Sequence, residues 1–216
     1  MSARHSPWVL VAASLAFALP ALQAGDDEDQ GGFVQVVEPA TAPVGTPEVR
    51  RPWLRAEGSI EIAAPVERVW AYVGDSTRAR EWSIYFHHIS PLPGPPDGQV
   101  GALRRCFRRA DEQGTRWDER VRGGERLRVR HIVSYDFVGI PVTKGAETDV
   151  WQLYESLGPD RTRLTFRTAP VKGTNLANRL SFAGSRRRAA EIFQKNLENI
   201  AAAIEGRPQV HPYESP

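Results

Sequence analysis

The sequence predicts an α+β domain in which a curved antiparallel sheet wraps around one long C-terminal helix. Three observations carry this. Residues 60–82, "IEIAAPVERVWAYVGDSTRAREW", alternate over Ile60–Ile62 and then change to helical spacing. From Gln99 to Thr168 the chain holds runs of period two, separated by turn residues. A closing stretch places Ile192, Phe193, Leu197, Ile200 and Ile204 on one helical face.

The first strand spans Ser59–Ile62. Pro65 suits the first helical position, where its missing N–H leaves nothing unpaired. Val66, Val69, Trp70 and Val73 then form one apolar stripe, and Gly74 ends the helix. Asp75 or Ser76 caps a second short helix that runs through Glu81. "SPLPGPPDG" is a loop by its prolines and glycines. Strands are predicted near 99–108, 115–122, 126–136, 146–155 and 161–168. The link "FVGIPVTKG" is unusually apolar for a surface loop. The terminal helix is placed no earlier than Thr174, with a bend at Gly184 and a stop at Gly206 and Pro208.

Ahead of this domain, residues 1–24 have the layout of a secretory signal peptide. Arg4 and His5 give a basic start, Trp8 to Leu19 is almost wholly apolar, and "ALQA" ends at Ala24. Export to the periplasm or beyond is expected, the alternative being an N-terminal membrane anchor. Residues 25–56 read as an acidic and proline-rich linker with too little apolar surface to form a core. The domain is placed at 57–206 and a short tail at 207–216. Cys106 is the one cysteine of the chain, so no internal disulfide stabilises the fold. Residues 57–206 carry 23 Lys+Arg and 19 Asp+Glu, a net 23 − 19 = +4. That balance is too mild for a nucleic-acid binder. No cofactor is expected. No metal is expected either, since His87 and His88 have no ligand set around them.

Strand faces follow from period two. In "TRWDERVR", Arg116, Asp118, Arg120 and Arg122 share the wet face, so Trp117, Glu119 and Val121 point inward. On the next strand the same reasoning places Arg126, Arg128 and Arg130 outward, with Leu127, Val129, His131, Val133 and Tyr135 inward. A turn at Gly123-Gly124-Glu125 would then make Glu119 and His131 diagonal neighbours, roughly 7–8 Å apart at the backbone. Leu164 and Phe166 are inward and Arg161, Arg163 and Arg167 outward. The inward face of 146–155 is open: Trp151 and Leu153, or Val150, Gln152 and Tyr154.

"IEIAAPVERVWAYVGD", "EW" at 81–82, "GQVGALRR" at 98–105, "DERV" at 118–121 and "FQKNLENIAAAI" together resemble the START-like (SRPBCC) helix-grip superfamily. The branch they are most similar to is that of polyketide cyclases, dehydrases and lipid transport proteins. The resemblance covers about 57–205 and implies a deep cavity between sheet and helix. It also implies a hydrophobic ligand: members bind lipids, sterols, plant hormones or polyketides, and a minority catalyse cyclisation or dehydration.

The candidate ligand-binding residues are therefore Trp117, Glu119, Leu127, Val129, His131, Val133, Tyr135, Leu164, Phe166, Phe193 and Leu197. Tyr85 and Phe86 are candidates for the cavity mouth. Three roles stay open for Glu119 and His131: a satisfied buried pair, ligand orientation, or acid/base chemistry. The leading expectation is an exported carrier or sensor of a hydrophobic small molecule. The alternatives are a cyclase- or dehydratase-type enzyme and an accessory protein that binds a partner without a ligand. Nine outward arginines (Arg116, Arg120, Arg122, Arg126, Arg128, Arg130, Arg161, Arg163 and Arg167) form either a solvated face or a contact for anionic membranes.

Overall fold

Among the described residues, seven strands pair in the order β1-β7-β6-β5-β4-β3-β2, every pair antiparallel. They are β1 Ala56–Ile62, β2 His88–Pro91, β3 Leu103–Phe107, β4 Arg116–Glu125, β5 Val129–Val138, β6 Thr148–Gly158 and β7 Arg161–Pro170. The structure is a computed structural model, and it describes residues 52–140, 145–171 and 174–215. The expected signal segment, all of the expected linker before Pro52 and part of the apolar link after Ile140 lie outside the described residues. No helix among the described residues is long and apolar enough to cross a membrane.

Between β1 and β2 the chain forms α1 Val66–Gly74, a 3-10 turn Ser76–Arg78 and α2 Ala79–Trp82. Pro65 is the residue just before α1 rather than its first member. Asp75 caps the 3-10 turn, its side chain accepting from the Thr77 N–H. β2 falls where the proline-rich loop was expected to begin, so the meander has one strand more than the sequence predicts. His88 and Ile89 pair with Phe107 and Cys106 there.

The C-terminal helix α3, Leu176–Ile204, has 29 residues and is about 43 Å long. The side chain of Asn175 caps it by accepting from the Asn178 N–H, and Gly184 does not interrupt it. Its second half carries the core: Leu197, Ile200, Ala201 and Ile204 pack against Ile62, Val69, Leu164 and Phe166. The helix sits close on β1 at Gly58, where a Cβ would lie 3.0 Å from the backbone nitrogen of Gln194. The first half of α3 is far less covered, with Leu176 67% and Leu180 59% exposed.

The β4–β5 hairpin departs most from the sequence reading. Its turn is Arg126–Arg128, with Leu127 at φ 63 and the Arg128 N–H bonded to the Glu125 carbonyl. Glu119 therefore pairs with Ser134 and Val121 with Ile132, instead of with Val129 and Leu127. That register differs from the expected one by five residues, an odd number, so the β5 side chains up to Tyr135 change face. Arg122 is the extra residue of a bulge on β4, and Asp136, at φ 50, sits in a second bulge on β5. The second bulge restores Phe137 to the concave side, where it packs against the main core. At Gly124 a Cβ would meet the Val129 carbonyl oxygen at 2.5 Å. Gly124→Ala should therefore lower stability by about 1–3 kcal/mol, read from a thermal melt. An unchanged melt would mean that the hairpin shifts freely.

Candidate functional site

Between the concave face of the sheet and the first half of α3 lies a cavity of about 280 Å³. Its walls are mainly aromatic: Trp82, Tyr85, Phe86, Trp117, Phe137, Phe166, Phe182 and Phe193 all line it. Six of these rings, Trp82, Tyr85, Phe86, Trp117, Phe166 and Phe193, form a connected set. Trp82 meets Phe86 edge-on at 5.3 Å, Phe86 meets Trp117 at 5.9 Å, and Phe166 meets Phe193 at 5.8 Å between centroids. Ile89, Ile132, Ile140, Val150 and Ile192 complete the apolar lining.

Polar groups are gathered on the strands that form one wall. Glu119 on β4 accepts from Arg104 on β3 at 2.8 Å through Nε and approaches its Nη2 at 2.7 Å. The other Glu119 oxygen accepts from the Trp117 indole at 3.1 Å and the Ser134 hydroxyl at 3.3 Å. A carboxylate has about four acceptor positions, so this one is filled by the protein itself. Arg104 is 5% exposed, and its Nη1 lies 3.8 Å from Asp97, beyond hydrogen-bond distance. The cation therefore retains donor capacity on a side chain that lines the cavity. The Trp82 indole N–H is buried and has no partner. Beside this group, burial holds the Cys106 thiol well above its ordinary range, so it stays a neutral thiol.

The candidates divide by face. Trp117, Glu119, Phe166 and Phe193 line the cavity. Leu164 and Leu197 lie in the core beside it. Leu127 is in the hairpin turn, and Val129, His131, Val133 and Tyr135 occupy the convex face, because the β5 register differs from the expected one. Val129 packs there with Trp151 and Ala169. His131 stacks on Trp151 with centroids 5.2 Å apart and binds Asp149 at 2.7 Å. Glu119 and His131 are thus on opposite sides of the sheet, so they are not the diagonal neighbours that the expected register made them.

On β6 the inward residues are Val150, Gln152 and Tyr154. Arg130, expected outside, is inside and 3% exposed. Tyr85 and Phe86 line the cavity as expected. His87 and His88 contact one another at 3.0 Å, and His88 stacks on Phe107. No group of three or more metal-ligating side chains occurs among the described residues.

The reading of the sequence missed Arg104, Ser134, Phe182 and the α3 asparagines. Arg104 shares a strand face with Ala102 and Cys106, a pattern too short and too mixed to mark as buried. Asn196 and Asn199 are polar by type and carry no periodic signal of burial, yet both are buried. Asn196 accepts from the Ile84 N–H at 2.9 Å, and Asn199 donates to the Trp82 carbonyl at 3.1 Å. These two bonds fix the cavity wall Trp82–Phe86 to the helix.

The family model for polyketide cyclase/dehydrase and lipid transport matches residues 54–205. No curated protein matches the chain. Among solved structures, one from Thermobifida fusca superposes with a TM-score of 0.57 at 15% identity, covering 74% of this chain and 99% of its own. The Zhui aromatase/cyclase from Streptomyces sp. R1128 gives 0.50 at 16% identity, covering 70% and 91%. DynU16, from the dynemicin biosynthetic locus, gives 0.53 at 19% identity over 74% of this chain. This chain spans about half, 51%, of the length of DynU16. At these identities the likeness is one of fold.

Proposed function

We propose, from the premise that the chain belongs to the polyketide cyclase/dehydrase and lipid transport family, that it is an exported carrier or sensor of a ring-bearing hydrophobic molecule. The observation that carries this reading is the aromatic cavity with one charged pair in its wall. Rings favour offset or edge-on packing against rings, and the connected aromatic set offers many such surfaces. The polar complement follows from the donors left over. Arg104 Nη1 calls for an acceptor on the ligand, a carbonyl or hydroxyl oxygen. Glu119 then acts through Arg104, holding it in place, instead of meeting the ligand itself. Export is supported by the signal-like layout of residues 1–24.

The outward arginines favour a solvated lattice of ion pairs over a membrane contact. Arg163 is shared between Glu61 and Glu155, Arg167 binds Glu57, and Arg128 binds Glu125. Charges neutralised by near neighbours have little attraction left for anionic headgroups.

Native mass spectrometry of the protein purified from its own host tests the main reading. A bound small molecule, released on denaturation, is expected. Fluorescence titration with 2-acetylnaphthalene, which has rings and a carbonyl, should quench the cavity tryptophans in a saturable way. A protein that is empty and also fails to bind this probe would sink the proposal.

A further inference from the structure

Arg130 is a buried cation without an anion. It lies on β5, 3% exposed, and no carboxylate among the described residues forms an ion pair with it. Its Nη1 donates to two neutral oxygens, Gln152 Oε1 at 2.8 Å and the Tyr154 hydroxyl at 3.2 Å. Its Nε is buried and makes no hydrogen bond. The guanidinium carbon sits 4.3 Å from the Trp70 ring centroid. Room for the group comes from Gly74, the last residue of α1, where a Cβ would lie 2.7 Å from Nη2. The indole face and the negative end of α1 offset part of the burial, but neither supplies a full charge.

This guanidinium borders a second cavity, also of about 280 Å³, whose lining shares no residue with the aromatic one. Trp70, Gly98, Gly123, Gly124, Arg126 and Arg130 are among its walls, and no Asp or Glu lines it. Arg126 projects from the hairpin turn, is exposed, and has no ion-pair partner among the described residues. Two guanidiniums, three glycines and no acid make a recess suited to a doubly charged oxyanion.

We propose that this recess between α1, the 98–100 loop and the β4–β5 hairpin binds a phosphoryl dianion, held by Arg130 and Arg126. It is distinct from the aromatic cavity and does not depend on what that cavity holds. Gln152 lines the aromatic cavity and also accepts from Arg130, so the two sites meet at one side chain.

The test uses inorganic phosphate as probe, with sodium chloride of equal ionic strength as reference. Phosphate should raise the unfolding midpoint of the wild type saturably and broaden the ³¹P resonance. Arg126→Gln, a change on an exposed turn that leaves the fold intact, should weaken apparent affinity about tenfold. Glycerol 3-phosphate and vesicles containing phosphatidic acid then compete for the bound phosphate. Displacement by the first identifies a soluble source, and displacement by the second a lipid headgroup. If phosphate acts no differently from chloride on the wild type, or equally on wild type and Arg126→Gln, the site does not exist and Arg130 is a structural cation only.

Discussion

Replacing Glu119 by Gln is expected to destabilise the domain by about 3–5 kcal/mol, because it leaves the Arg104 guanidinium buried without its counter-charge. The shape and most hydrogen bonds survive the change. What is lost is the carboxylate charge that two Arg104 nitrogens share, in a place where water cannot substitute, since Arg104 is 5% exposed. Among the described residues the other acid paired with it is Asp97, at 3.8 Å, and Asp97 is already engaged by the Ser76 N–H and hydroxyl and by the Gly98 N–H. It offsets part of the loss and puts the effect toward the lower end of the range. For a domain of this size, that corresponds to a drop of about 10 °C in the unfolding midpoint.

The double variant Arg104→Met/Glu119→Leu is the informative control. It removes both charges together, so no charge is left orphaned, and its stability should return to within about 1 kcal/mol of wild type or exceed it. The double variant should nonetheless bind 2-acetylnaphthalene more weakly, since the carbonyl has lost its donor. Thermal and urea melts on the three proteins decide the matter. A Glu119→Gln variant as stable as wild type would show that Asp97 already balances Arg104, and the buried pair would then have no special weight.

How far the sequence could be read depended on what sets each feature. The helix pair, the strand succession and the closing helix were legible because each rests on local periodicity. So was the inward position of Glu119, since the charged Asp118 and Arg120 on either side of it take the other face, although Asp118 is itself buried there against Arg105. The β5 face was not legible, because it depends on where the hairpin turns. Gly123-Gly124 has the composition of a turn, yet the chain turns at Leu127, a non-glycine residue in left-handed backbone. Two bulges then separate pairing from simple counting. One misplaced turn moved Val129, His131, Val133 and Tyr135 to the wrong side and hid Arg130. Buried polar side chains were the other blind spot. Arg104, Asn196 and Asn199 look like surface residues by type, and only their partners across the fold make burial tolerable.

Asn199→Ala should loosen both the C-terminal tail and the aromatic wall, at a loss of about 3 kcal/mol. Asn199 is fully buried and makes four bonds. Its Nδ2 donates to the carbonyls of Trp82 at 3.1 Å and His211 at 2.8 Å, while its Oδ1 accepts from the N–H groups of Val210 at 3.1 Å and His211 at 2.8 Å. Alanine strands all four partners. The tail can answer by peeling into water, which solvates Val210 and His211. The Trp82 carbonyl has no such escape. Peeling has a consequence for the cavity, because the tail also holds the wall: the Glu214 N–H donates to the Ile84 carbonyl at 2.8 Å, and Arg80 covers the Tyr213 ring at 4.7 Å.

The same tail should respond to acid. Hydrogen bonds from Lys195 and Arg188 hold Glu214 below the ordinary carboxylate value of 4.5, and one from His211 does so for Glu198. A carboxylate with a lowered folded-state value stabilises fully above 4.5, and that contribution is lost as pH falls below it. Tail attachment is therefore complete at neutral pH and weakens below about pH 4.5, whereas Asn199→Ala weakens it at every pH. Trimming by carboxypeptidase, followed by mass, reads the tail, and the exchange rate of 2-acetylnaphthalene reads the wall. Faster trimming together with faster exchange is expected in the variant at pH 7 and in the wild type only in acid. Faster trimming with unchanged exchange would mean that α3 holds the wall alone, through Asn196, and that the tail does not control entry to the cavity.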